Sequence, residues 1–229
     1  MMSARLTGRF FLPGGALRAA LLLLTLATSA FPQPPSEKGS HFLPNDLVAL
    51  TSLDSTIRLD IRYATSANFM HRPMYQRAAA FLQRPAAEAL VRVSRAVHKH
   101  GLGLLVFDAY RPWSVTKQFW DETPTNQHNF VADPKKGSVH NRGCAVDLSL
   151  YDRTSGKEII MPSPFDDFTI NASPNFSGGT KNQRAMRDLL RHAMEREGFR
   201  VDKNEWWHFS YREWRRYRVL DIPFEKISL

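Results

Sequence analysis

Cysteine is almost missing from this chain: Cys144 is the only one among 229 residues. One thiol cannot form an intramolecular disulfide, so the fold must be held by its core or by a metal. Long apolar runs are missing too. The best candidate, residues 19–27, falls well short of the roughly 20 residues that a helix needs to cross a bilayer. There is no internal repeat, no zinc-finger spacing and no basic stripe interleaved with aromatics, so nothing argues for a nucleic-acid partner.

What is present is apolar substance. Hydrophobic residues make up 43% of the chain, with 15 Phe and 5 Trp, enough for one substantial core and too little for two full domains. The first thirty residues stand apart. Arg5 and Arg9 precede the apolar run, and Thr28, Ser29 and Ala30 follow it, the pattern of a secretory signal peptide over 1–30. No cysteine sits at the expected cleavage site, so a lipoprotein is excluded. The expected location is the periplasm or the medium, with no stable membrane insertion after cleavage; an uncleaved N-terminal anchor is the alternative. Loss of Arg5, Arg9 and Arg18 takes the net charge from +9 to +6, a surplus that most simply forms a solvated face.

Residues 31–40 are rich in Pro and polar side chains and read as a flexible linker; 41–229 have even composition and read as one catalytic domain. Within it, residues 56–63 alternate apolar and polar, which predicts a strand. Pro85 opens a helix that Gly101 closes, followed by a buried strand over 102–107 and a short helix over 113–120. Thr180 and Gln183 form a capping-box pattern ahead of a helix that Gly198 stops, and short strands are predicted at 199–201 and 207–209. Strands mixed with helices, without regular βαβ alternation, predict an α+β fold: a small, mainly antiparallel sheet carrying the site, flanked by helices.

The chemistry concentrates in two segments. After Gly143 a period-two strand puts Cys144, Val146, Leu148 and Leu150 on one face and Ala145, Asp147 and Ser149 on the other. An aspartate inside such a strand is costly to bury without a cation or donors. His140 lies seven residues before it, an odd spacing that would put the two on opposite faces of a straight strand. The Asn141-Arg142-Gly143 segment supplies turn chemistry that could bring the imidazole back to the side of the carboxylate. The second segment, Glu205-Trp206-Trp207-His208, offers another imidazole in aromatic surroundings. His140, Asp147 and His208 would make three protein ligands for a catalytic zinc, leaving Glu205 as general base. Taken singly, His208 reads as a structural or surface histidine, Asp147 equally as a salt-bridge partner of an Arg or a metal ligand, and Glu205 as a surface acid. Arg111, fixed in an extended or turn conformation by Pro112, suits a developing oxyanion, or an ordinary ion pair with Asp108. Cys144 points away from Asp147 by strand parity and is a poor nucleophile.

Four motifs occur together: Tyr-Ala-Thr-x-x-Asn-Phe at 63–69, Asp-x-Tyr-Arg-Pro at 108–112, Ser-x-His-x-x-Gly-x-Ala-x-Asp at 138–147 and Glu-Trp-Trp-His at 205–208. In that order they resemble the D-alanyl-D-alanine dipeptidases, zinc metallopeptidases related to D,D-carboxypeptidases. The resemblance implies one Zn2+ per chain on His140, Asp147 and His208, Glu205 as catalytic base and Arg111 as stabiliser of the tetrahedral intermediate. It also implies a substrate pocket with Tyr63, Ser138 and Asp166, the last facing the free amine of a small D-amino-acid dipeptide, with Asp167 next to it in the chain. The expected role is cell-wall peptide turnover or D-alanine salvage. A D,D-carboxypeptidase or peptidoglycan peptidase with the same centre, and a catalytically idle zinc-binding protein, stay open as alternatives. The sequence sets no oligomeric state.

Overall fold

The computed structural model describes residues 32–39 and 41–228; the expected signal peptide lies outside them. The chain runs β1 (Leu47–Ala49), α1 (Leu50–Leu53), β2 (Arg58–Leu59), β3 (Phe81–Gln83), α2 (Arg84–His98), β4 (Leu102–Asp108), α3 (Trp113–Glu122), β5 (Ala145–Asp152), α4 (Lys181–Arg196), β6 (Phe199–Val201) and β7 (His208–Tyr211). A five-stranded sheet has the order β2-β4-β5-β7-β6, and only the β2–β4 pair is parallel. β1 and β3 form a separate antiparallel ribbon. The fold is α+β, with a small mixed sheet and flanking helices.

The two long helices follow from local signals. Pro85 sits in the first turn of α2, where its missing N–H costs nothing, and Leu90, Val93 and Val97 turn one stripe into the core. At α4 the capping box forms in both directions: the Gln183 amide donates to Thr180 Oγ1, and the Thr180 amide donates to the Gln183 side chain. Leu190 and Met194 of α4 join the α2 stripe against Val146, Leu148 and Leu150 of β5 in one cluster. Each such fully buried side chain contributes about 1.5–3 kcal/mol relative to exposure. The opposite face of the sheet is covered more thinly, by Leu105, Phe107 and Tyr151 with Phe165 packed on them.

The strand predicted over 56–63 is not formed as such. Only Arg58–Leu59 pair with β4, and Arg62–Ala64 make a 3-10 turn instead. The carbonyl of Tyr63 accepts from the amides of both Met74 and Tyr75, which holds the chain in that turn and buries the phenol ring. The segment 32–39 contains no helix or strand. Among the described residues no helix is long and apolar enough to cross a membrane.

Candidate active site

Three strands in register set the frame. Asp108 on β4 lies opposite Asp147 on β5, and Asp147 lies opposite His208 on β7. Residues directly opposite in an antiparallel ladder share a face, so these three side chains form a row on the thinly covered face. The β4–β5 register shifts between Val106 and Asp108, an irregularity at the end of the strand that carries the site.

His140 enters from the 3-10 turn His140–Arg142 that precedes β5. Gly143 ends the turn at φ +66°, a left-handed conformation in which an added Cβ would lie 2.4 Å from Leu47 Cδ2. That reversal overcomes the odd spacing. The Nε2 atom of His140 lies 3.3 Å from Asp147 Oδ1 and 3.1 Å from His208 Nδ1, and His208 Nδ1 is 3.0 Å from the same Asp147 oxygen. On the far side of its ring, His140 Nδ1 lies 2.6 Å from the Ala109 carbonyl. A carbonyl only accepts, so Nδ1 carries a proton there, and Nε2 is the atom turned to the cluster.

The donor set can be tested against a metal. Ligands about 2.0–2.1 Å from zinc at tetrahedral angles stand about 3.3 Å from one another. The three donor atoms form a triangle with edges of 3.0–3.3 Å. Two imidazoles and one carboxylate, all on one face, with an oriented first histidine, fit a catalytic zinc with one open position.

Arg111 lies at the edge of this cluster. Its Nε and Nη2 both donate to Asp108 Oδ2, at 2.9 and 2.6 Å, and Nη2 is 3.8 Å from Asp147. Its guanidinium lies over the rings of Tyr63 and Phe119. Arg111 therefore has the ion pair with Asp108 and also lines the cleft. Tyr75 adds a 2.7 Å hydrogen bond to the other Asp108 oxygen.

These residues open into a cleft of about 390 Å³ lined also by Tyr63, Ser138, Asp166 and Glu205. Tyr63 donates to Asp166 at 3.1 Å. Asp166 has φ +59°, and it is Asp166 rather than Asp167 that lines the cleft. Ser138 Oγ accepts from the His140 amide at the start of the 140–142 turn. Glu205 Oε2 lies 3.9 Å from His208 Nδ1. The sequence-derived residues are thus brought together on one surface.

Several carboxyl groups line this cleft, and burial dominates their proton affinities. Burial pushes Glu205 up to about 8, against the pull of His208, and pushes Asp166 up to about 7, with Asp147 adding to the effect. Burial opposes a charge on His208, but its bond to Asp147 wins and lifts it to about 9. Burial would raise Asp147, yet His140 and His208 hold it well below the usual carboxylate range. A metal cation or an ammonium group entering the cleft would favour the charged forms of these carboxyl groups. Cys144 is fully buried, with its thiol pushed up to about 12 by burial, and has no part in the cleft.

Sequence reasoning did not find the aromatic wall. Phe130 and Phe168 stack with rings parallel and centroids 4.8 Å apart, and Phe69 bridges Phe168 to Phe119. These residues come from separate loops and a helix, so no periodic signal joins them. Ser210, 3.2 Å from His208 Nε2, was visible only as an alternate residue of β7.

A family model described as D-ala-D-ala dipeptidase matches residues 44–218. The D-alanyl-D-alanine dipeptidase of Escherichia coli K12 is 30% identical over 179 residues, covering 78% of this chain and 91% of that protein. The D-alanyl-D-alanine dipeptidase of Enterococcus faecium is 30% identical over 190 residues, covering 72% and 93%. Among solved structures, the vancomycin-resistance D,D-dipeptidase VanXYg in complex with a D-Ala-D-Ala phosphinate analogue aligns at 19% identity and TM-score 0.40, over 62% of this chain and 53% of that chain.

Proposed function

Since the chain belongs to the D-ala-D-ala dipeptidase family of metallopeptidases, we propose that it hydrolyses the free D-alanyl-D-alanine dipeptide to two D-alanines with one zinc ion held by His140, Asp147 and His208. The observation that carries the reading is the 3.0–3.3 Å triangle of donor atoms beside Glu205 and Arg111. When bound, zinc supplies Lewis acidity, polarising the scissile carbonyl and making water more acidic.

The protein's own groups do the rest. Glu205, carrying an elevated proton affinity, takes a proton from the attacking water and returns it to the departing D-alanine amine. Arg111 offers the Nη hydrogens that Asp108 does not use to the carbonyl oxygen as charge builds there. Asp166, oriented by the Tyr63 hydroxyl, pairs with the free amino group of the dipeptide. The aromatic wall of Phe69, Phe119, Phe130 and Phe168 keeps the local dielectric low, which strengthens each of these interactions.

The decisive experiment is release of D-alanine from D-Ala-D-Ala beside N-acylated D-Ala-D-Ala, with and without chelator. Cleavage of the free dipeptide only, lost on chelation, supports the proposal. Cleavage of the acylated compound makes the protein a carboxypeptidase, and cleavage of neither sinks the hydrolase reading. The pattern in residues 1–30 supports export to the periplasm or medium; fractionation that left the protein in the cytoplasm would refute that part. Salvage of D-alanine or wall-peptide turnover is the role such a location suits.

A further inference from the structure

Arg142 sits between the ligand His140 and the turn-ending Gly143, and its side chain is buried. Its Nη1 donates to the Tyr217 carbonyl and its Nη2 to Glu37 Oε1, both at 2.5 Å, while its guanidinium lies over the Trp214 ring. The second Glu37 oxygen accepts from the Val219 amide at 2.8 Å. One residue further on, the Leu220 amide donates to the Asn141 carbonyl. Glu37 therefore closes a ring of bonds that clamps the 140–142 turn against residues 217–220. Among the described residues it is the only acid that forms an ion pair with Arg142. It also precedes the residues matched by the family model, 44–218.

We infer that Glu37 is a positioning residue for the metal centre, and that the segment before the family domain is part of the working enzyme. A buried guanidinium stripped of its carboxylate is strongly unfavourable. The cheapest relief is movement of Arg142 toward water, and Arg142 is two residues from His140 in the same short turn. Glu37 thereby fixes where His140 Nε2 stands relative to Asp147 and His208. The inference rests on the reading of His140 as a zinc ligand, and it requires the chain to retain residues 32–39.

The test is zinc affinity, measured on the full chain by competition with a chromophoric chelator. Glu37→Gln is expected to weaken zinc binding about 10-fold, the low end for loss of a group supporting a ligand, with activity recovered at saturating zinc. Glu37→Asp, which keeps the charge and reaches only one of the two partners, is expected to lose less. Arg92→Gln, which breaks the ion pair between Arg92 of α2 and Glu197 just after α4, is expected to leave the affinity unchanged. Wild-type zinc affinity in Glu37→Gln overturns the inference. If that variant does not fold, wild-type affinity in Glu37→Asp does the same. A wild-type chain that binds no zinc overturns the metal centre as well, whereas dependence of zinc affinity on Glu37 without any dipeptide cleavage upholds the inference and overturns only the proposed function.

Discussion

Arg111 and Asp108, three residues apart around a Tyr, are locked together by two donors on one carboxylate oxygen, Nε at 2.9 Å and Nη2 at 2.6 Å, with both side chains buried. The pair leaves the remaining Nη hydrogens of Arg111, a residue that lines the cleft, unused by Asp108. Hydrogen bonds to charged groups contribute about 1.5–3 kcal/mol. Asp108→Asn should therefore lower kcat about 10- to 100-fold with zinc content unchanged. Steady-state kinetics with metal analysis checks this, and an unaltered kcat would remove Arg111 orientation from the mechanism.

Glu205 Oε2 stands 3.9 Å from His208 Nδ1, beyond hydrogen-bond distance. Glu205→Gln keeps the shape and removes the base. Turnover should fall by about 10²- to 10⁴-fold, the usual worth of a general base, while bound zinc per chain stays at one. Loss of zinc together with activity would make Glu205 a ligand instead.

His140→Ala and His208→Ala should each abolish activity and zinc binding. Chelation of the intact protein is expected to leave a cooperatively folded chain, because the core holds the sheet and the Asp147–His208 pair bonds without a metal. A ligand at about a thousand times its Kd contributes about 4 kcal/mol, so Tm should fall by roughly 10 °C. Differential scanning calorimetry showing a non-cooperative, unfolded metal-free chain would contradict this.

Asp166 gives a pH dependence. Its folded-state pKa, about 7, lies above its ordinary value of 3.8 because burial and Asp147 disfavour the anion. Between those values the unfolded chain releases the proton and the folded one keeps it, so the metal-free protein loses stability as pH rises from about 4 to about 7. Asp166→Asn, which suits the positive φ at this position, removes that loss. The variant should melt higher than wild type at pH 8 and equally near pH 4, and its KM for the free dipeptide should rise. Parallel Tm curves for the two proteins would refute the shift.

Much of this was written into local sequence. Period-two alternation after Gly143 placed Asp147 on the face opposite Cys144, and the Thr180 capping box and the Pro85 start fixed the long helices, because strand parity and capping act over a few residues. The Asn141-Arg142-Gly143 segment offered the turn chemistry by which His140 could come back to Asp147. The alternation at 56–63 misled, since the fate of Tyr63 was decided by the amides of Met74 and Tyr75, which no pattern around residue 60 encodes.

What the sequence by itself determined was the set of chemical groups, their local conformations and the faces they take. Which groups meet was decided by register: Asp108, Asp147 and His208 stand in one row only because β4, β5 and β7 pair as they do, and a slip by one residue would turn every side chain of a strand to its other face. The aromatic wall and the Glu37–Arg142 clamp are likewise tertiary. They join segments separated by 38 and 105 positions, and such contacts are chosen by packing and by the need to neutralise a buried charge, neither of which leaves a periodic mark on the chain.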